Sequence, residues 1–305
     1  MTEKIKSNRL WKTHQAKALA QAMGLSDPVA AVRKLAADLL EEAEQNQAPV
    51  DLRLVASFRN IADIHLTSIS GSAMLLPSEQ GFIILLNSSD PLGRRNFSTA
   101  HEICHTFFPC KESDNSTSHT VGMFSIQDEE EYLCDIGASA LLLPPKLVQD
   151  EIEACGCRLD AILQIANRFR SSIEAAAIAW AQSSPWPCAV VFFEEKLKPI
   201  ELRLEEQMSL PGIEKPSPRP KLRIMHACPS ASFPFFLPKN KSVSADGPIY
   251  RCITEGQTVG TEKLELCGEE RRLHVESILA PYHKSGKIIR RVVSLLKVLP
   301  SLNNN

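Results

Sequence analysis

The sequence predicts an α+β protein in two parts: a helix-rich first part that encloses a small antiparallel sheet, and a smaller β-rich C-terminal part. Three observations carry that prediction. Apolar residues recur at helical spacing up to about Phe58, alternate at strand spacing between Asp63 and Asn87, and return to helical spacing from Asn96 to Gln182. Charge is uneven: residues 1–190 hold 16 Lys+Arg against 23 Asp+Glu, whereas residues 191–305 hold 18 against 13. Eight of the 20 prolines fall between Pro211 and Pro248, as in a linker or extended crossing segment. The expected domains are 1–190 and 191–305, the second made of the Pro-rich linker and a β-rich domain.

The elements follow in order. Thr13–Met23 reads as a short helix. Asp27-Pro28 supplies an N-cap and a proline for the first helical position, and Val29, Val32, Leu35, Leu39 and Ala43 make residues 28–45 amphipathic. Gln45–Pro49 breaks that helix, and Asp51–Phe58 forms another. Asp63–Ile69, Ser72–Leu76 and Gly81–Asn87 are strands joined by tight turns. Helices return at about Asn96–Phe108 and Asp128–Leu143, the latter stopped by Pro144-Pro145. Leu147–Ala154, Leu159–Phe169 and Ser172–Gln182 complete a helical block. Ser171 with Glu174 offers a capping box for the last helix, whose stripe is Ile173, Ala176, Ala177 and Trp180. Pro187–Phe193, His274–Leu279 and Ile288–Leu299 are the apolar runs of the second part, and Phe233-Pro234-Phe235-Phe236 is expected in its core.

Composition excludes several classes. With 305 residues, 44% hydrophobic and 23% charged, the chain is an ordinary globular protein. A formal net charge of −2 does not suit a polycation built for nucleic acid. The helix pair at 159–182 reads as packing, because its second helix is Ala-rich and almost uncharged. The basic clusters Arg219, Lys221, Arg223 and Lys284, Lys287, Arg290, Arg291 read as solvated surface. No apolar run is long enough to span a membrane, and Met1–Leu10 lacks a signal-peptide core, so a cytoplasmic location is expected. The nine cysteines lack the paired spacing of a zinc ribbon and read as free thiols.

The stretch that carries chemistry is Ala100-His101-Glu102-Ile103-Cys104-His105. Residues four apart share one helix face, so His101 and His105 can offer two imidazoles to one ion. Glu102 is placed to act as general base on a metal-activated water. Zn2+ suits such ligands, and Mn2+ or Fe2+ fit the same set. The five-residue pattern is short, and its setting inside a predicted helix adds specificity. A third ligand is expected from the next helix, which opens Asp128-Glu129-Glu130-Glu131. Glu131 and Asp135 are four apart: Glu131 suits the ligand, and Asp135 an acid that holds an imidazole N–H. Asp128, Glu129 and Glu130 read as stabilising the helix N-terminus.

From residue 28 to 182 the sequence resembles the ImmA/IrrE family of metallopeptidases. The resemblance rests on Asn87, on Arg94-Arg95-Asn96-Phe97 before the His101–His105 motif, on Glu131-Tyr132-Leu133-Cys134-Asp135-Ile136-Gly137-Ala138, and on Leu141-Leu142-Leu143-Pro144. Ile165-Ala166 to Phe169 and Ser171-Ser172 fit the helix pair that normally follows. The family usually reads E-x-x-A-[N/D]-x-F-A, so Cys134 stands for Ala and Gly137 for Phe. The resemblance implies a zincin-like metalloprotease domain with metal on His101, His105 and Glu131, Glu102 as base and Asp135 in support. It also implies cleavage of a protein partner, a helix-turn-helix repressor, that releases stress or mobile-element genes. The rival reading is a protease-fold module that binds and sequesters a transcription factor without cutting it.

Four neighbours of the motif have blander readings. Cys104 lies between the histidines as a small packing residue, and Cys110 follows the helix without a metal role. His119 belongs to a polar loop, and Tyr132 points away from Glu131.

Overall fold

A computed structural model describes residues 11–108, 127–207, 219–284 and 287–299. Cys110 and His119 lie outside them, as does most of the Pro216–Pro220 segment. The chain divides into two compact units: Met1–Ala154 with Ile162–Ala179, and Cys155–Ala161 with Trp180–Asn305.

In the first unit, helices α1 (His14–Ala22), α2 (Pro28–Glu42) and α3 (Leu52–Ser57) come first. Each starts on a side-chain cap. Thr13 Oγ1 accepts from the Ala16 N–H, Asp27 from Val29, and Asp51 from both Arg53 and Leu54. Strands β1 (Ile61–Thr67), β2 (Ala73–Ser78) and β3 (Gly81–Asn87) form a sheet in the order β1-β3-β2.

The α+β class is as expected, but the small sheet is mixed and not wholly antiparallel. The turn at Glu79-Gln80 makes β2 and β3 an antiparallel hairpin, whereas β1 pairs parallel with β3. The cause is the link at 68–72, which carries the chain past the place β3 will occupy. Asn87 fastens that crossing: its side-chain amide donates to the Ile69 and Gly71 carbonyls at 2.8 and 2.9 Å.

Helix α4 (Leu92–His105) carries the histidine motif and begins four residues earlier than its sequence pattern suggests. Pro91 takes the N-cap position, its carbonyl accepting from Arg94 and Arg95. Gly93 lets this end lie against the chain at Ser171-Ser172, where a Cβ would meet backbone atoms at 2.8 Å. The Asn96 amide closes the same junction by donating to the Arg170 carbonyl at 2.9 Å. Helices α5 (Gln127–Leu142), α6 (Pro145–Cys155), α7 (Leu159–Arg168) and α8 (Ile173–Ser183) follow. The cap of α8 is Ser172, which accepts from Ala175 at 3.1 Å, while Ser171 bonds to the Ser172 carbonyl instead. Val32, Val55, Ile84, Ile103, Leu133, Leu141 and Ile152 are fully buried in the core of this unit.

The second unit is built on a five-stranded antiparallel sheet. Its strands are β4 (Cys188–Lys196), β5 (Lys221–Pro229), β6 (Gln257–Leu266), β7 (Glu269–Leu279) and β10 (Arg291–Val298), in the order β5-β4-β10-β7-β6. A short hairpin of β8 (Tyr282–Lys284) and β9 (Lys287–Ile289) precedes β10, so the apolar run 288–299 is two strands and not one. Helices α9 (Pro199–Gln207) and α10 (Pro248–Glu255) complete the unit. Ala189, Val191 and Phe193 alternate onto one face and pack with Ile224, Ile249, Cys252, Leu273 and Val292. Phe233 and Phe235 join this cluster, but Phe236 is 75% exposed, so the expected aromatic core is only partly formed from that run. Arg223, from a cluster expected on the surface, is 1% exposed and pairs with Glu201 at 3.0 Å. No helix among the described residues is long and apolar enough to cross a membrane.

Candidate metal centre

Helix α4 presents His101 and His105 on one face, one turn apart. Their rings meet edge to face with centroids 4.9 Å apart, and the two Nε2 atoms are 3.2 Å apart. Helix α5 lies against this face. Glu131 places Oε2 at 3.2 Å from His101 Nε2 and Oε1 at 3.7 Å from His105 Nε2. Glu102 is 8% exposed, beside His101 on the same helix.

Each imidazole is also held from behind. His101 Nδ1 is 3.0 Å from Asp135 Oδ1, in the place expected for a supporting acid. His105 Nδ1 is 3.1 Å from Glu130 Oε1. That second contact was not legible in the acidic run, where Glu130 reads as helix-terminus charge. Glu129 differs again. Its buried carboxylate accepts from the backbone N–H groups of Lys12 and Thr13, at 2.9 Å from each, and from the Thr13 hydroxyl at 2.7 Å. It docks the start of α1 onto α5. The signal that separates these acids is angular: neighbouring helix residues point about 100° apart, so a run of four acids serves several partners.

The electrostatics follow from the carboxylates. Burial pushes the His101 imidazole down, but the Asp135 and Glu131 carboxylates and the nearby Glu102 charge outweigh it and raise its pKa to about 9. Cys134 also lies within reach. One donor atom from each of His101, His105 and Cys134 fits within a 4.8 Å group. Its thiol is pushed well up by burial and by the charges of Glu130, Glu131 and Glu102, with Cys104 adding to the effect. The thiol therefore stays protonated beneath the imidazoles.

Cys104 faces the other way. A Cβ on Gly137 would meet its Sγ at 2.6 Å and Val32 Cγ1 at 2.8 Å, so the absent side chain at Gly137 is what lets α5 close on α4 and α2. Arg59 anchors the far end of α4 by donating to the Thr106 hydroxyl at 2.9 Å and to the Thr106 carbonyl. Tyr132 points toward Trp11, with ring centroids 6.2 Å apart.

The donor set fits a small divalent ion. With bonds of about 2.0–2.1 Å and tetrahedral angles, ligand atoms should stand roughly 3.3–3.4 Å apart. The Nε2–Nε2 and Nε2–Oε2 separations, both 3.2 Å, are close to that spacing.

Residues 61–181 match the family model of the IrrE N-terminal-like domain. The radiation response metalloprotease IrrE of Deinococcus radiodurans is 24% identical over 195 residues, covering 64% of this chain and 58% of that protein. Its counterpart from Deinococcus deserti is 31% identical over 106 residues, covering 34% of this chain and 38% of that protein. The chain thus spans less than two thirds of either relative. A solved Mycobacterium tuberculosis transcriptional regulator shares the fold, with a TM-score of 0.52 and 12% identity, over 88% of this chain and 75% of that one. The segment that matches the IrrE N-terminal-like domain holds both histidines and all the acids around them.

Proposed function

We propose that the protein is a zinc-dependent endopeptidase that cleaves one protein partner, a helix-turn-helix repressor, and so switches on stress genes. The observation that carries this reading is the convergence of His101 Nε2, His105 Nε2 and the Glu131 carboxylate at 3.2–3.7 Å, with Glu102 alongside. In this reading those three residues hold the ion. Glu131 is preferred to Cys134 because burial pushes the Cys134 thiol well up and makes its deprotonation costly.

A zinc ion bound there would polarise the scissile carbonyl and lower the pKa of an attacking water to about 7. Glu102 would serve as the general base, its carboxylate taking a proton from an attacking water and giving it to the leaving amine. Asp135 and Glu130 hold the two Nδ1 atoms and so keep both Nε2 atoms turned toward the ion. Against β3, strand β2 uses one edge, and among the described residues its other edge pairs with no strand. An extended substrate segment can lie along that edge by adding its own backbone hydrogen bonds. The assignment of residues 1–190 to catalysis and 191–305 to substrate choice belongs to the same proposal, as does a cytoplasmic site of action, where such a repressor would be met.

The test is Glu102→Gln in the native host. Labelling of new protein N-termini should reveal a cleaved regulator in wild-type cells and none in the variant. The variant should keep its metal and co-purify with the intact regulator. If Glu102→Gln supports the cellular response as well as wild type, cleavage is not the function and the sequestering module replaces it.

A further inference from the structure

Two cysteines distant in sequence meet in the second unit. Cys157 lies in the turn between α6 and α7, and Cys188 opens β4. Their side chains face each other, close enough for each thiol to act on the other's proton. The sheet fixes this approach. Lys297 stands opposite Cys188 in the β4–β10 ladder, and its ammonium donates to the Cys157 carbonyl at 3.2 Å. Glu276 on β7 pairs with that ammonium and accepts from the Leu159 N–H at 2.8 Å. Residues 157–159 are thereby tied at two points to the part of the sheet that carries Cys188. The Cys188 N–H donates to the Ser230 hydroxyl at 3.2 Å, and the Ser184 hydroxyl lies 3.3 Å from its sulfur.

The chemical asymmetry within the pair is useful. The facing Cys157 thiol, the neighbouring Ser184 and Ser230 hydroxyls and the Lys297 charge together outweigh burial and bring the Cys188 thiol down to about 7. Cys157 is pushed up, chiefly because its S–H serves Cys188, with burial adding to the effect. Cys157 is half-buried and Cys188 fully buried, so a small oxidant reaches the pair from the Cys157 side. Buried structural thiols usually have neither a thiol partner nor an ammonium at hand.

We propose that Cys157 and Cys188 form an oxidation site, at which hydrogen peroxide converts the thiol pair into a reversible disulfide. The Cys188 sulfur attacks one peroxide oxygen and the O–O bond breaks. The departing oxygen takes the proton shed by Cys188 and leaves as water. Cys188 is then a sulfenic acid, oxidised by two electrons. The Cys157 sulfur attacks it, the S–O bond breaks, and the hydroxyl leaves with the Cys157 proton as a second water. Two thiols and one peroxide give one disulfide and two waters. The bond pins the α6–α7 turn to β4, and reduction by a dithiol releases it.

The experiment uses the full chain, reduced and then titrated with hydrogen peroxide. Remaining thiols are alkylated under denaturing conditions and the digest is read by mass spectrometry. Cys267 is exposed and serves as the internal standard for an unassisted thiol. The expected result is a Cys157–Cys188 peptide pair that forms before Cys267 is consumed and disappears with dithiothreitol. Its rate of formation should rise as pH passes through about 7, and the oxidised protein should melt several degrees higher. Cys157→Ser should lose the cross-link and let Cys188 advance to the sulfinic acid. Oxidation of Cys267 with Cys157 and Cys188 still alkylatable overturns the proposal, as does a Cys155–Cys157 bond or direct over-oxidation of Cys188 in the wild-type chain. Because the wild-type digest decides, the test survives a variant that fails to fold.

Discussion

Gly137→Ala probes the packing that brings the two halves of the metal centre together. The new methyl would lie 2.6 Å from Cys104 Sγ and 2.8 Å from Val32 Cγ1, with Cys104 Cβ at 3.4 Å. Relaxed contacts between carbon atoms are about 3.5–4.0 Å, so the overlap approaches ~1 Å on two sides. Neither neighbour can yield into solvent, since Cys104 and Val32 are both 0% exposed. Overpacking by a methyl costs about 1–3 kcal/mol. Alanine in a helix interior returns about 1 kcal/mol relative to glycine. The difference is a loss of roughly 0–2 kcal/mol, and overlap on two sides puts the expected effect toward ~2 kcal/mol, read from the urea midpoint of metal-free protein followed by circular dichroism. Cys104 sits between the two histidines, so the strain should also weaken zinc binding. Cys104→Ala removes the nearer clash but leaves Val32 in place. The double variant should then lose less than the sum of the single variants, by about 1 kcal/mol. Wild-type stability for Gly137→Ala, or strict additivity in the cycle, would refute the close approach of α4 and α5 at this point.

Three further outcomes are expected. Glu130→Gln should weaken zinc binding by about 10–100-fold in competition with a chromophoric chelator, as should Asp135→Asn, because each acid orients one imidazole; an unchanged affinity for Glu130→Gln would return that residue to a helix-terminus role. In metal-free protein the His101 pKa is raised from 6.5 to about 9, so its stabilising contribution is complete below pH 6.5 and is lost as pH rises through about 9. Zinc uptake at pH 7.5 should therefore expel about one proton, measured by calorimetry in buffers of different ionisation enthalpy, and no proton release would contradict the carboxylate clamp on His101. Cobalt-substituted protein should lack the near-ultraviolet band of a thiolate ligand if Glu131 is the third ligand, whereas a strong band abolished by Cys134→Ala would transfer that position to Cys134.

How legible these features were differs by physical cause. The α4 motif could be read because helix periodicity alone places His101 and His105 together. Asp135 could be read because it follows Glu131 by one turn. Glu129 and Glu130 could not, since their partners, residues 12–13 and His105, lie on other elements, and a run of acids gives no local sign of which way each points. The mixed pairing of β1 and β3 was equally hidden. Alternating apolar residues announce strands, but the direction of pairing depends on how the 68–72 link runs. Helix α10 had readable punctuation, with Pro248 in its first turn and Gly256 at φ +79 after it, yet eight residues gave too short a period to stand out. Strand β4 was visible as an apolar run, while its central partner β10 is supplied about a hundred residues later, a separation no local pattern reveals.

That separation has a consequence for how the protein is made. The middle strand of the second unit's sheet is the last of its strands to be synthesised, and β4 and β7 flank an empty lane until it arrives. At about 5–20 residues per second, β4 waits roughly 5–20 s for β10. Throughout that interval its six consecutive buried residues, Cys188–Phe193, have backbone groups open on one side. They offer a docking edge to any other extended chain. The nascent protein should therefore depend on a holding chaperone during this interval far more than the finished protein does, and crowding of ribosomes on one message should raise the fraction lost to aggregation.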